Sequence, residues 1–149
     1  MIPQSLRALL DDTDGQRECE WRDRRVWLAR EPWGELAVCL QGAQVLHFLP
    51  AATAARAGVV EATGEGEEAL VPGGWLWVTP TPQALPGAIR GGIPLCWPWF
   101  ADERGADESP DRSGPMHGPA RKAQWRLDAV DEHEGGVELH LSPTERLHS

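Results

Sequence analysis

Near the end of the chain, polar and apolar residues alternate with a period of two, and no other feature restricts the possible folds as strongly. The apolar positions of the first arm are Ala123, Trp125, Leu127 and Ala129, with Gln124, Arg126 and Asp128 between them. Those of the second arm are Val137, Leu139 and Leu141, with Glu138 and His140 between them. Because successive side chains of a strand point to opposite faces, each arm predicts a strand with one apolar face. Glu134, Gly135 and Gly136 predict the tight turn of an antiparallel hairpin.

The same alternation predicts three earlier strands, over residues 25–29, 35–41 and 44–49. Pro32, Trp33 and Gly34 supply a turn between the first two strands, and Gly42 separates the second from the third, which ends at Pro50. Several short strands, little helix and many turn residues favour an antiparallel β-sandwich or barrel, a mostly β fold class.

Several other segments have weaker patterns. Residues Ser5 to Asp12 place leucines on one side of a short helix. A weak strand is predicted at Val59 and Val60, and a short strand at Trp75 to Val78. The TPTPQALPG segment that follows predicts irregular structure, because its prolines lack backbone donors. Residues 101–115 predict a solvated acidic loop.

The composition fits one globular domain. The chain has 149 residues, of which 41% are apolar and 25% charged, ordinary values for a folded protein. Its 14 basic and 23 acidic residues give a net charge of −9, which disfavours nucleic acid and anionic membranes as partners. Any bound anion must therefore be held by local arginines.

Three cysteines, Cys19, Cys39 and Cys96, bear on the compartment. They are widely spaced and form no CxxC or Cys/His metal motif, so we expect neither a disulfide framework nor a zinc site. The sequence has no secretory leader pattern and no apolar run of about 18 residues. We therefore expect free thiols in a reducing cytoplasm.

The segment from residue 88 to residue 121 carries the most functional information. Its Arg90, His117 and Arg121 lie among glycines, prolines and tryptophans. A guanidinium can bind a phosphate through two parallel hydrogen bonds, and tryptophan faces can pack against the CH groups of a sugar. The mixture favours a sugar-phosphate site. On the residues alone, two other interpretations stay open: solvent-facing positions for Arg90 and His117, and core packing for the WPWF run.

Other potential sites are weaker. The sequence contains no GxGxxG, GxxxxGK[ST], GxSxG or HExxH motif, so nucleotide binding, serine hydrolysis and zinc protease chemistry lack their residues. The paired carboxylates at positions 107–108 and 131–132 are interpreted as solvated. The remaining histidines are interpreted as structural or solvated: His47, His133, His140 and His148.

Four motifs together resemble those of a known family. In chain order they are LQGAQVLHFLPA, IRGGIPLCWPWF, HGPAR and QWRL. From about Val26 to Arg146, the chain resembles the hexose-6-phosphate mutarotases (glucose-6-phosphate 1-epimerases) of the aldose 1-epimerase superfamily. The resemblance implies an antiparallel β-sandwich of the galactose-mutarotase type.

The resemblance also implies a function and a set of site residues. Members of the family interconvert the α and β anomers of a hexose 6-phosphate such as glucose 6-phosphate, without a metal or cofactor. By their places in the motifs, Arg90 and Arg121 correspond to phosphate-binding arginines, and His117 to a histidine that lines the sugar pocket. Further candidate sugar contacts are Trp97, Trp99 and Met116.

The catalytic acid and base of the family are not matched in this sequence. The acid is a histidine in a segment resembling LHTYF and the base is a glutamate near the C-terminus, and neither motif occurs here. We therefore assign no catalytic residue and expect residues 1–149 to be a single, truncated domain, the N-terminal half of the sandwich. The alternative is a noncatalytic sugar-phosphate-binding module, or half of a split sandwich completed by another chain. Exposed strand edges would then favour self-association.

Overall fold

The computed structural model describes residues 1–51, 68–101 and 114–147. In this part of the chain there are one α-helix, α1 (Gln4–Asp11), and eight strands, with a short 3₁₀ helix at Ala120–Lys122. The strands are β1 (Ile2–Pro3), β2 (Gly15–Trp21), β3 (Arg24–Glu31), β4 (Gly34–Cys39), β5 (Gln44–Pro50), β6 (Leu70–Val71), β7 (Trp125–His133) and β8 (Gly136–Pro143). The strand predicted at Val59 and Val60 and most of the predicted acidic loop lie outside the described residues.

Four strands form the central sheet in the order β2-β3-β4-β5, and each neighbouring pair is antiparallel. Strands β3, β4 and β5 are those predicted from the alternation, so that prediction is confirmed. The predicted helix is also confirmed, and it begins and ends one residue earlier than expected. Strands β1 and β6 pair separately, and β7 pairs with β8 as the predicted hairpin.

Strand β3 is buried on both faces, from Val26 to Ala29. On one face, Val26 and Leu28 pack against a cluster that includes Leu6 and Leu10 of α1. On the other face, Trp27, Ala29 and Val38 are covered by the β7–β8 hairpin. Full burial of a Val or Leu side chain stabilises the fold by roughly 1.5–3 kcal/mol. The helix and the hairpin therefore hold the sheet between them, and the predicted mostly β, antiparallel fold class is confirmed.

The hairpin differs from the prediction at one position. The pairing of Leu127 with Leu141 shifts register before Ala129, which pairs with His140. A bulge places one extra residue in a strand and so reverses the alternation beyond it. As a result, Val130 packs against the sheet, whereas Ala129 is exposed. The prediction that Ala129 shares the apolar face of Leu127 is wrong.

The strand predicted at Trp75 to Val78 is also wrong. Only Val78 forms a bridge there, an isolated pairing with Gly91, and Trp75 is 69% exposed. Pro80 and Pro82 follow immediately and cannot donate to a ladder, so the pairing does not extend. The TPTPQALPG segment is irregular, as predicted. In the described ranges, no helix combines the length and the hydropathy that crossing a membrane requires.

A buried charged cluster lies where α1 meets the sheet. The Arg7 guanidinium binds both carboxylate oxygens of Glu35, with 2.8 Å between Arg7 Nη1 and Glu35 Oε1. The Nε2 atom of His47 lies 3.3 Å from the same Oε1, and its Nδ1 is buried without a hydrogen-bond partner among the described residues. His47 is therefore structural, one of the two interpretations that the sequence allows for it.

Burial and partners set the protonation of this cluster. Burial by itself raises the pKa of Glu35, but hydrogen bonds from Arg7 and His47 and the Arg7 charge outweigh it and hold that pKa well below its usual range. For His47, burial is the largest effect and lowers the pKa despite the attraction of Glu35. The pair is therefore a carboxylate beside a neutral imidazole.

We expect the protein to lose stability as the pH falls. Because burial lowers the pKa of His47 in the folded chain, the unfolded chain takes up a proton on this histidine at a higher pH, from about pH 6.5 downward, and is thereby favoured. Glu35 adds a further loss near pH 4, where only the unfolded carboxyl is protonated. Urea unfolding between pH 8 and pH 5 should show the first loss in the wild type and in the exposed control His133→Gln. An equally steep loss in His47→Gln would contradict the assignment.

Candidate functional site

The backbone after Arg90 is held against strand β5. Ile93 and Val45 exchange hydrogen bonds of 2.8 and 3.2 Å. A methyl group on Gly92 would lie 2.0 Å from the Val45 oxygen, and Gly92 has a φ of +61°, so only glycine fits there. The glycine pair after Arg90 thus brings the chain close to its own sheet. The Arg90 side chain beside it is exposed.

His117 is bound to the end of the WPWF segment. Its backbone N–H donates to the Ala101 oxygen at 2.8 Å, and its Nδ1 accepts from the Ala101 N–H at 2.9 Å. The Phe100 ring lies against the imidazole, with 4.8 Å between ring centroids. Because Nδ1 is an acceptor, the neutral imidazole carries its proton on Nε2. The side chain can therefore offer that N–H as a donor.

The chain between His117 and Arg121 packs closely on Trp97. A methyl group on Gly118 would lie 2.0 Å from the Trp97 oxygen, and Gly118 has a φ of +80°. The same Trp97 oxygen accepts from the Ala120 N–H at 3.4 Å. Arg121 then lies in the 3₁₀ helix Ala120–Lys122. The WPWF and HGPAR motifs are thus one structural unit.

The turn between β4 and β5, residues Gln41–Gln44, joins this unit to the segment that carries Arg90. The Gly42 N–H donates to the Ala123 oxygen at 2.7 Å, and a methyl group on Gly42 would lie 2.3 Å from the Arg121 oxygen. The side-chain amide of Gln44 donates to the oxygens of Ile89 and Gly91. One turn therefore contacts the Arg121 backbone and the carbonyls on either side of Arg90.

Neither arginine forms an ion pair with a carboxylate of the described residues. Arg121 is partly buried, and its Nε atom is buried without a hydrogen-bond partner in this part of the chain. In contrast, Arg7, Arg22 and Arg25 each pair with a glutamate. A guanidinium held without an anion retains its capacity for charge-assisted hydrogen bonds. Arg90 and Arg121 are therefore suited to an external anion.

The predicted sugar contacts lie in the same region with different exposures. Trp97 and Met116 are exposed, whereas Trp99 is half-buried and donates from Nε1 to the Pro115 oxygen at 2.9 Å. An apolar cavity of about 420 Å³ is lined by Ala120, the residue before Arg121, and by Trp97, Trp125 and Leu147 among others. Of the predicted sugar contacts, Trp97 is the one that lines this cavity. Trp99 supports the loop through its indole N–H.

Sequence reasoning missed the polar residues that hold this region. Arg24 donates to Gln41 Oε1 at 2.8 Å and to the oxygens of Gln83 and Gly87 at 2.7 and 2.8 Å. The sequence does contain one signal for Gln41 and Gln44, since the two glutamines flank a Gly-Ala pair between two apolar strands. Polar side chains in such a place need hydrogen-bond partners. Arg146, which also lines the apolar cavity, has no comparable signal in the sequence.

The exposed face of the hairpin brings three potential metal ligands together. The ligand atoms of Asp131, Glu138 and His140 all lie within 4.8 Å of one another. His140 Nε2 is 3.0 Å from a carboxylate oxygen of each of the other two. The three residues are exposed to solvent, and His140 is paired with both carboxylates. This agrees with the interpretation of His140 as solvated. We place no metal there.

Comparison with known proteins gives matches to two bacterial relatives, although no protein-family model matches the chain. A Salmonella typhimurium protein provisionally named glucose-6-phosphate 1-epimerase is 33% identical over 140 residues, 93% of this chain and 35% of that protein. An Escherichia coli K12 protein with the same provisional name is 33% identical over 115 residues, 76% of this chain and 31% of that protein. The chain thus spans about a third of the length of the relatives it matches.

Two crystal structures have a similar fold. One is YeaD of Salmonella typhimurium, provisionally described as a mutarotase, with a TM-score of 0.60 and 29% identity over 87% of this chain and 36% of that chain. The other is HI1317, with a TM-score of 0.61 and 25% identity over 87% of this chain and 38% of that chain.

We expect Gly118→Ala to weaken the fold more than Gly135→Ala. Both glycines have φ near +80°, where any other residue costs roughly 1–2 kcal/mol, but a methyl group on Gly135 meets nothing within 4 Å. At Gly118 the clash with the Trp97 oxygen should cost about 1–3 kcal/mol more in the free energy of unfolding. Urea unfolding of both variants measures the difference. Equal losses would show that the HGPAR and WPWF segments are not packed as described.

Proposed function

We propose that this chain, which belongs to the glucose-6-phosphate 1-epimerase (hexose-6-phosphate mutarotase) family, binds a hexose 6-phosphate through Arg90 and Arg121. The predicted family and the predicted β-sandwich of mutarotase type are confirmed by the two relatives and the two similar structures. The names of the relatives support a mutarotase-like function that acts on sugar phosphates. The substrate and the site residues of this chain are part of the proposal.

The observation that carries the proposal is the joint placement of two arginines without carboxylate partners among the described residues. The turn of residues 41–44 contacts the Arg121 backbone and the carbonyls of Ile89 and Gly91, on either side of Arg90. Charge-assisted hydrogen bonds from two guanidinium groups would offset the repulsion between a phosphate dianion and a chain whose net charge is −9. Arg90 and Arg121 supply them in this proposal.

The sugar is assigned to the surface beside Arg121. His117 can donate its Nε2 proton to a sugar hydroxyl, since its Nδ1 is occupied by the Ala101 N–H. Trp97 lines the apolar cavity and offers a flat face to the CH groups of the ring. Met116 is exposed and is retained as a candidate contact, whereas the engaged indole of Trp99 gives it a supporting role.

Anomer exchange requires two proton transfers. A base removes the proton of the anomeric hydroxyl while an acid protonates the ring oxygen, so that the ring opens to the aldehyde and recloses on either face. No metal or cofactor takes part in this scheme. We assign neither the acid nor the base to this chain, and propose that it supplies the binding groups alone.

A second candidate is half of a split sandwich that another chain completes. It is favoured by the concentration of large exposed apolar side chains between Trp75 and Phe100, the latter being 76% exposed. Apolar surface of this kind marks interaction sites. We keep self-association as part of this candidate, and place it on these residues.

The three cysteines are free thiols, which supports the proposed cytoplasmic location.

We expect Arg90→Ala and Arg121→Ala each to weaken the binding of glucose 6-phosphate by about 10- to 100-fold, the effect of losing charge-assisted hydrogen bonds. Isothermal titration calorimetry of the 149-residue chain measures this. Arg25→Ala is the matched control, because Arg25 is exposed and pairs with Glu18 at 3.2 Å. Unphosphorylated glucose should bind far more weakly. The proposal fails if the wild type does not distinguish the two sugars, or if Arg25→Ala has the same effect.

We expect glucose 6-phosphate to anomerise at the same rate with the protein as in buffer alone, because no acid or base is assigned to this chain. Exchange between the anomer signals in proton NMR measures this rate, over a wide range of protein concentration. A rate above buffer that Arg90→Ala removes would contradict the noncatalytic assignment. A rate per chain that rises with protein concentration would contradict it as well, because a second copy of the chain brings no assigned acid or base.

A further inference from the structure

We infer that Gln44 is a positioning residue whose side-chain amide fixes the backbone on both sides of Arg90, so that the Arg90 guanidinium is held where a phosphate can bind. The inference rests on the proposed function, because it takes Arg90 as a phosphate-binding residue. It assigns to a buried amide a role that the motifs around Arg90 do not reveal.

The contacts of Gln44 are specific to the two peptide units that adjoin Arg90. Gln44 is 2% exposed, and its Nε2 donates to the Ile89 oxygen at 3.0 Å and to the Gly91 oxygen at 2.6 Å. These two acceptors use both protons of the amide. The carbonyl of Arg90 itself accepts from the Thr79 N–H at 3.0 Å. Three successive carbonyls are therefore held, and the Arg90 backbone has little freedom to turn.

Only an amide of this length satisfies the site. A buried carbonyl without a donor is strongly disfavoured, so an apolar side chain at position 44 would leave two acceptors that must find water or move. The segment that carries Arg90 would then shift toward solvent. The arginine side chain is itself exposed and has no other anchor among the described residues, so its position depends on its backbone.

The position of Gln44 also relates Arg90 to Arg121. Gly42 lies two residues earlier in the same turn and contacts the Arg121 backbone, as described above. Gly42 and Ala43 both have positive φ, at +77° and +48°, so the turn has one defined shape. A shift at Gln44 would therefore change the separation of the two guanidinium groups, which a bidentate phosphate site cannot tolerate.

Gln41 provides a matched control in the same turn. It is also 2% exposed, and its Nε2 also donates to two backbone oxygens, those of Pro86 and Gly87, at 3.1 Å each. The two glutamines thus have equal burial and each donates to two backbone oxygens, while Gln41 also accepts from Arg24 Nε at 2.8 Å. They differ in that the acceptors of Gln41 lie before Arg90 in the chain and do not adjoin it.

The experiment compares Gln44→Met with Gln41→Met in the full chain. Both variants should lower the free energy of unfolding. Gln44→Met removes the donor to the Ile89 and Gly91 oxygens, whereas Gln41→Met removes the donor to the Pro86 oxygen and the acceptor of Arg24 Nε, and the Gly87 oxygen keeps its bond from Arg24. The affinity for glucose 6-phosphate, measured by calorimetry, should fall about tenfold in Gln44→Met and less than about threefold in Gln41→Met. If Gln44→Met does not fold, Gln44→Asn keeps the amide on a shorter side chain and supplies the same comparison. Equal losses of affinity in the position-44 and position-41 variants would overturn the inference.

Hydrogen exchange separates this inference from the proposed function. The Gly92 N–H donates to the Trp77 oxygen and the Ile93 N–H to the Val45 oxygen, each at 2.8 Å, so both are protected in the wild type. Gln44→Met should speed their exchange at least tenfold relative to Gln41→Met. If the wild type binds no glucose 6-phosphate, the proposed function fails, and the exchange rates alone decide whether Gln44 fixes the segment. Unchanged rates at Gly92 and Ile93 would overturn the inference whatever the affinity.

Discussion

The double-sided burial of strand β3 is the constraint on which the rest of the structure depends. Alternate side chains of β3 belong to two separate hydrophobic clusters, one on each face of the strand. Helix α1 covers one face and the β7–β8 hairpin covers the other. The position of the hairpin is then fixed further by a bridge between Gln41 and Gln124 and by the hydrogen bond from Gly42 to Ala123. Because Arg121 lies four residues before the start of the hairpin at Trp125, the packing that covers Trp27 also places the Arg121 backbone at the β4–β5 turn.

The arginines of this chain are distinguished from one another by their hydrogen-bond and ion-pair partners. Arg7 is neutralised by Glu35 inside the fold, and Arg24 is surrounded by the amide oxygen of Gln41 and backbone oxygens. Both therefore support structure. Arg90 and Arg121 lack a carboxylate among the described residues, although the chain carries 23 acidic residues. In a chain with a surplus of acidic residues, two guanidinium groups without a carboxylate partner in the described ranges support the proposed anion site.

The sequence predicts the parts of this structure that follow from simple periodicity. Strands β3 to β5 and the hairpin are recognised because an alternating pattern matches burial on one or both faces. Strand β2 was missed because charged residues dominate it, with Arg17, Glu18 and Glu20 among its seven positions. The bulge before Ala129 was missed because nothing in the local pattern shows where a ladder changes register. The failed strand at Trp75 shows the opposite error, an apolar run that lacks a partner.

The site is predictable as a set of residues but not as a geometry. Arg90, His117 and Arg121 are marked by their motifs, and the structure brings the Arg121 backbone and the residues on either side of Arg90 to one turn. The resemblance does not indicate that Gln41, Gln44 and Arg24 hold the segments in place, because these are long-range hydrogen bonds to backbone oxygens. The role of Trp99 likewise depends on a single hydrogen bond from its indole to Pro115.

The glycines at positions 42, 92 and 118 share one feature, since each lies where main chain packs directly on main chain. Contacts of this kind do not depend on which side chains surround them. They depend on the number of residues between one contact and the next. The region should therefore accept varied neighbours during evolution or engineering, while a single inserted or deleted residue between these glycines and their partners would put the whole region out of alignment.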